Sequence, residues 1–137
     1  MYLIVDANVL LGAIIGKSLP LLEDIASRDG VLLVPSRMLI EARSVAADAG
    51  RVPLPGALKR FSLIETMVTL LDPIHYEHEE GRARERLTTQ GQSDWPILAA
   101  ALALDAPVWS NDKHIWGTGV AVWLTRNIRF WNAEGVG

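Results

Sequence analysis

Four carboxylates in this chain of 137 residues stand where the sequence pattern brings them to one edge of a single sheet. Asp6 directly follows the apolar run Tyr2 to Val5, and Asp112 comes two residues after another such run, Pro107 to Ser110. Glu41 falls inside a helical pattern with Met38 three residues before it and Val45 four after, which puts an ionisable group on an apolar stripe. Asp94 opens a further helical pattern and shares a face with Ile97, Leu98 and Ala101. Carboxylates gathered in one place repel, and a pair about 4 Å apart costs about 4 kcal/mol at an effective dielectric of about 20. Protons or a cation must compensate. Hard divalent ions such as Mg²⁺ and Mn²⁺ take oxygen ligands and bridge to phosphate oxygens. They also lower the pKa of a bound water and neutralise charge on phosphorus. The chemistry this set points to is hydrolysis of a phosphodiester.

The elements that must position these groups follow from hydrophobic pattern and punctuation. Tyr2 to Val5 and Val31 to Val34 are β-branched-rich apolar runs without alternation, as expected of strands buried on both faces of a parallel sheet. Pro107 to Ser110 and Val120 to Thr125 are further strand candidates. Between them the pattern predicts a helix capped by Ser36 and running to about Ala49, where Gly50 ends it, and a second over Leu58 to Leu71, stopped by Asp72-Pro73. A charged helix is expected from His75 to about Leu87, and an alanine-rich one to Leu104 with Ser93 as cap and Pro96 in its first turn. Strands alternating with helices imply a parallel α/β sheet, at whose carboxyl edge ligands bind.

Each acid also has a plain structural use. Asp6 suits the N-cap of a helix starting near Ala7, Asp94 complements a helix dipole, and Asp112 in Ser-Asn-Asp-Lys suits a turn. A core-facing Glu41 is the hardest to explain so, because an unpartnered buried glutamate is costly. The coincidence of all four at one edge favours a site.

Composition narrows the rest. The length allows one domain over 1–137, and the absence of cysteine excludes a disulfide scaffold, a thiolate zinc site and a cysteine nucleophile. The apolar stretches, such as Ile97 to Leu104, fall short of the roughly 18 residues that a membrane span needs. No basic region precedes the first apolar run, so no secretory signal is expected and the cytoplasm is the expected compartment. The net charge of −3 argues at first against a nucleic-acid partner, but the total includes the four site acids, and the rest of the chain is net positive by one.

In these segments the sequence resembles the PIN-domain nucleases, and within them the VapC-like toxin ribonucleases of type II toxin–antitoxin pairs. Leu3-Ile4-Val5-Asp6-Ala7-Asn8-Val9-Leu10 looks like the family's first strand followed by Asp-x-Asn. Pro35-Ser36-Arg37-Met38-Leu39-Ile40-Glu41 is similar to its strand-to-helix passage with a glutamate, and Ser93-Asp94-Trp95-Pro96-Ile97-Leu98-Ala99-Ala100-Ala101 to its aspartate before an alanine-rich helix. Val108-Trp109-Ser110-Asn111-Asp112 resembles the last motif, a hydroxyl residue two before the aspartate. The resemblance implies a three-layer α/β fold, a central mostly parallel sheet flanked by helices. It further implies an endoribonuclease in which Asp6, Glu41, Asp94 and Asp112 hold one or two Mg²⁺ or Mn²⁺ ions. Asn8 and Ser110 would support the metal site, with Asn111 and Lys113 beside it. An RNA substrate, an antitoxin partner and a homodimer are implied with it. The sequence departs from the family after Asp112, where Lys113-His114-Ile115 puts His114 in the place of a further acid.

Other features have weaker claims. Arg82, Arg84 and Arg86 could guide a phosphate backbone, but the interleaved Glu77, Glu79, Glu80 and Glu85 suggest a salt-bridged surface. His75 and His78 have the i, i+3 spacing of a metal pair without a third ligand. Trp109, Trp116, Trp123 and Trp131 suit core and interface packing before base stacking, and Lys113, Arg126 and Arg129 are candidates to meet substrate. Two rival functions are a catalytically silent module that binds RNA or protein and a phosphatase using Asp6 as nucleophile. For the second, Asn8 stands where the motif would need an acid.

Overall fold

The computed structural model describes residues 2–28, 30–48 and 54–131. Five strands, β1 (Tyr2–Val5), β2 (Val31–Pro35), β3 (Val68–Leu71), β4 (Val108–Trp109) and β5 (Val122–Trp123), form one sheet in the order β3-β2-β1-β4-β5. Every neighbouring pair is parallel. Leu3, Ile4 and Val5 are wholly buried, as an unalternating apolar run in the centre of such a sheet should be.

Six helices join the strands: α1 (Ala7–Ile14), α2 (Leu19–Ala26), α3 (Ser36–Asp48), α4 (Leu54–Met67), α5 (Glu80–Arg86) and α6 (Trp95–Leu104). The first four pack among themselves, and α5 packs on α6. Right-handed crossovers place these two groups on opposite faces of the sheet, which gives three layers. The core lies between them and includes Leu10, Ile14, Leu22, Ile64, Leu98 and Trp109. The expected α/β architecture is present, with a sheet that is parallel throughout. Among the described residues no helix is long and apolar enough to cross a membrane.

Several local expectations fail. The helix predicted over Leu58 to Leu71 is instead α4 followed without a break by β3, because Val68 to Leu71 pairs with Leu32 to Pro35 and that pairing overrides the helical spacing. Asp72-Pro73 therefore ends a strand. The predicted helix from His75 to Leu87 is divided: Pro73–His75 and Glu77–Glu79 are separate 3-10 turns, and only α5 is α-helical. This removes the helical spacing of His75 and His78. Ser93 does not cap α6, since it sits in the 3-10 turn Gln92–Asp94 and Asp94 holds the cap position. The two last strands are shorter than expected, and α2 has no counterpart in the sequence reading. The predicted stop at Gly50 lies outside the described residues.

Candidate functional site

Chain direction along the sheet reverses between β1 and β4. From β1 the chain moves outward to β2 and β3, and it then returns to place β4 on the other side of β1. The carboxyl ends of two such strands leave a crevice, the usual ligand position in an open α/β sheet. Val5 pairs with Trp109 there, and the Asp6 amide donates to the Trp109 carbonyl at 3.1 Å. Asp6 and Asp112 thus leave adjacent strands at one crevice.

Asp6 is buried and serves as N-cap of α1: its Oδ1 accepts from the Ala7 amide at 2.7 Å. Its other oxygen accepts from Ser110 Oγ at 2.5 Å and from Asn8 Nδ2 at 3.3 Å. The capping use and the site use coexist because a carboxylate has two oxygens. Asp112 repeats the arrangement, as its Oδ1 accepts from the His114 amide at 2.9 Å and caps the 3-10 turn Lys113–Ile115. Ser110, wholly buried, also accepts from the Asp112 amide at 3.0 Å and so joins the two acids.

Asp94 completes the third side, half-buried at the mouth of α6 and within hydrogen-bonding reach of Asp112. Burial and the neighbouring Asp112, Asp6 and Glu41 push its pKa up to about 7. Burial likewise raises that of Asp6, with Asp112 and Glu41 adding to the rise and the bonds from Ser110 and Ala7 opposing it. Glu41 differs from its expectation: it is exposed on α3, as is Val45, and only Met38 of that trio is buried. Its charge is nevertheless felt by both Asp6 and Asp94. The other predicted acids therefore act on Asp6 and Asp94, Glu41 from the solvent side.

Of the predicted supports, Asn8 reaches the Asp6 carboxylate, and its Oδ1 lies 3.4 Å from the Asn111 amide that donates to it. Asn111 exchanges bonds with Thr125, donating Nδ2 to Oγ1 and accepting from the Thr125 amide, both at 2.9 Å. Trp109 Nε1 also donates to Thr125 Oγ1, at 3.1 Å. Thr125 was not foreseen. A signal existed in the repeated Val-Trp pair: Trp109 and Trp123 are in register, so Asn111 and Thr125 each follow them by two residues. Lys113 is exposed beside Asp112.

The remaining candidates are placed elsewhere or otherwise engaged. Arg82 and Arg84 form ion pairs with Glu79 and Glu80 at 2.9 and 2.7 Å, and Arg86 donates to the Thr118 carbonyl at 2.9 Å. The carbonyl of Arg129 is held by Arg28 beside the entry to β2, at the amino edge of the sheet, away from the acids. Arg126 is exposed and lines a separate cavity with Trp116. Trp109 and Trp131 are buried, Trp123 is half-buried in β5, and Trp116 is exposed.

The donor set consists of hard carboxylate oxygens, and the proton affinity of Asp6 and Asp94 is raised by burial and by the neighbouring acids. Such a set suits a hard divalent cation, which relieves the repulsion that protons otherwise relieve. Among the described residues no three potential ligands already stand close enough to share one ion.

The chain matches the PIN domain family over residues 4–132. Among solved structures, VapBC2 from Rickettsia felis bound to a DNA fragment from their promoter superposes with a TM-score of 0.70 at 16% identity, over 90% of this chain and 98% of that one. VapBC-1 from nontypeable Haemophilus influenzae gives a TM-score of 0.64 at 14% identity, over 93% of this chain and 100% of that one. A search of curated proteins gives no match. The family match spans the four acids and the strands and helices that carry them, and the chain belongs to the PIN domain family.

Proposed function

We propose that the protein is a Mg²⁺- or Mn²⁺-dependent endoribonuclease whose metal is held by Asp6, Glu41, Asp94 and Asp112. The observation that carries this reading is the convergence of Asp6, Asp112 and Asp94 at the crevice between β1 and β4, where Ser110 bridges the first two, Asp94 lies within reach of Asp112, and the charge of Glu41 is felt at Asp6 and Asp94. A bound ion there would stabilise charge on the scissile phosphate and make water acidic enough to react. The chain's own contribution is to orient oxygens. Ser110 and Asn8 fix one oxygen of Asp6, and the Lys113–Ile115 turn fixes one of Asp112. Asp94, with a pKa near 7, gives up its proton near neutrality and would then offer a charged oxygen to the cation.

The purified protein is expected to cut single-stranded RNA with Mg²⁺ or Mn²⁺, to stop in EDTA, and to lose activity in Asp94→Asn. Cutting that needs no metal and survives Asp94→Asn would overturn the mechanism. The likeness to two VapBC structures supports a toxin role and an antitoxin as protein partner. Co-expression with the product of a small adjacent reading frame, followed by co-purification, tests that pairing.

His114 gives a second reading its one foothold. It takes the place of an acid, and its side chain packs against Gly91, where a Cβ would lie 3.0 Å from that of His114. A catalytically silent binding module would retain the fold and bind no metal. Calorimetry with millimolar Mn²⁺ separates the two readings, since binding heat supports the nuclease and its absence the silent module.

A further inference from the structure

Beside the acids, α3 and the segment leading into α6 enclose a cavity of about 560 Å³. This lies within the roughly 300–1,000 Å³ typical of small-ligand sites. Its lining includes Arg37, Glu41, Arg84, Gln92, Ser93 and Trp95. Glu41 belongs to the acid cluster, and Ser93 and Trp95 flank Asp94 in sequence, so the cavity adjoins the proposed reaction centre.

The two arginines differ in how they are held. The guanidinium of Arg84 lies 5.4 Å from the centre of the Trp95 ring. It donates Nε to Glu80 at 2.7 Å and Nη1 to Gln92 Oε1 at 3.2 Å. Gln92 is fixed in turn, because its Nε2 donates to the carbonyls of Arg84 and Leu87 at 2.8 and 3.1 Å. A flat guanidinium and an indole are thereby locked together. Arg37, one turn before Glu41 on α3, is exposed and takes part in none of the ion pairs among the described residues.

We propose that this cavity receives one unstacked nucleotide of a single-stranded RNA next to the scissile bond. Arg37 pairs with a backbone phosphate, and the Arg84–Trp95 pair meets the base. The substrate class rests on the nuclease reading above. Unstacked bases are recognised by aromatic and guanidinium planes, whereas bases inside a duplex offer no free face. A protein partner would find apolar contact at Ile40, which is 68% exposed on the same lining, whereas the paired guanidinium and indole planes of Arg84 and Trp95 match a base and Arg37 matches a phosphate. The guanidiniums and the continuity with the acids favour RNA.

The test is the affinity of a labelled, unstructured RNA oligonucleotide, read by anisotropy in Ca²⁺. Arg37→Gln and Arg84→Gln should each bind about ten-fold more weakly, and losing the Arg37 phosphate contact should flatten the plot of log affinity against log salt by about 0.7. Lys59→Gln, an equal charge loss on the exposed side of α4, should change affinity far less. If Arg37→Gln binds as Lys59→Gln does, or if the unsubstituted protein binds no RNA, the proposal is overturned. It is also overturned if these variants leave RNA affinity intact but alter the sedimentation of the protein, which would assign the cavity to a second copy. Arg37 makes no ion pair among the described residues, so its variant decides the matter even where Arg84→Gln fails to fold. Cleavage is scored separately with Mn²⁺. Selective loss of binding in the variants, with no cleavage by the unsubstituted protein, supports the cavity and overturns the nuclease reading; cleavage with unchanged binding does the reverse.

Discussion

At Asp6 one carboxylate oxygen is spent on the Ala7 amide and the other on Ser110 and Asn8, while Asp112 gives one oxygen to the His114 amide. Bonds of this kind fix where the remaining lone pairs point. Ser110→Ala would leave a buried carboxylate oxygen and the Asp112 amide each short of a partner, at a cost of about 1–3 kcal/mol. The expected results are a lower denaturant midpoint and weaker Mn²⁺ binding by calorimetry; an unchanged midpoint would mean that water replaces the hydroxyl. Asp94 sets a pH dependence whose sign follows from its proton. Its pKa is about 7 in the folded chain against 3.8 otherwise, so the folded state holds the extra proton between those values. The associated stability is fully present below about pH 4 and is lost as pH rises through about 7. Thermal denaturation without metal should therefore show Tm falling across that window, an effect that Asp94→Asn reduces and that Mn²⁺ opposes at the upper end. A metal-free Tm that rises over the same window would contradict the coupled acids.

Two turns, Gly91 to Asp94 and Lys113 to Ile115, hold Asp94 against Asp112, and they meet where Gly91 packs on His114. A Cβ at Gly91 would stand 3.0 Å from His114 Cβ and 3.3 Å from its Cγ. Gly91→Ala is thus expected to spread the turns and weaken Mn²⁺ binding several-fold with little loss of stability; calorimetry together with a melting curve checks this, and unaltered affinity would show that the turns yield. At this scale the sequence was only partly informative. Asp6, Asp94 and Asp112 were legible because each follows or opens an element with clear punctuation, and β1 and β2 because strands buried on both faces read as unbroken apolar runs. β3 was not legible, since no turn residue separates Met67 from Val68 and its apolar spacing also satisfies a helix. Its identity comes from pairing with β2, a partner more than thirty residues away. The burial of Glu41 was misjudged for a related reason: Val45, taken as part of a core stripe, is 40% exposed. Periodicity reports which residues share a helix face, and tertiary packing decides how far around the helix that face is covered.

Across the whole molecule, the edge opposite the acids is closed by Arg28, whose Nη1 donates to the carbonyls of Arg129 and Trp131 at 2.6 and 2.7 Å. Trp131 packs so tightly on Gly30 that a Cβ there would collide with the indole. Arg28→Ala should cost about 1.5–3 kcal/mol, the range for hydrogen bonds from a charged donor. Mn²⁺ affinity should stay the same, because the clamp and the acids occupy opposite edges; a parallel loss of affinity would reveal coupling across the sheet. The central place of β1 bears on how the molecule is made as well as how it stands. β1 precedes both of its partners in the chain, pairing on one side with β2 and on the other with β4, and Ile4 waits for Val108. Partners so distant in sequence make folding slow, because chain closure precedes the contacts that reward it. No nascent chain that stops short of β4 and Asp112 can assemble all four acids. On the proposed reading, cleavage by a growing chain would be withheld until Asp112 has been made and β4 has paired with β1.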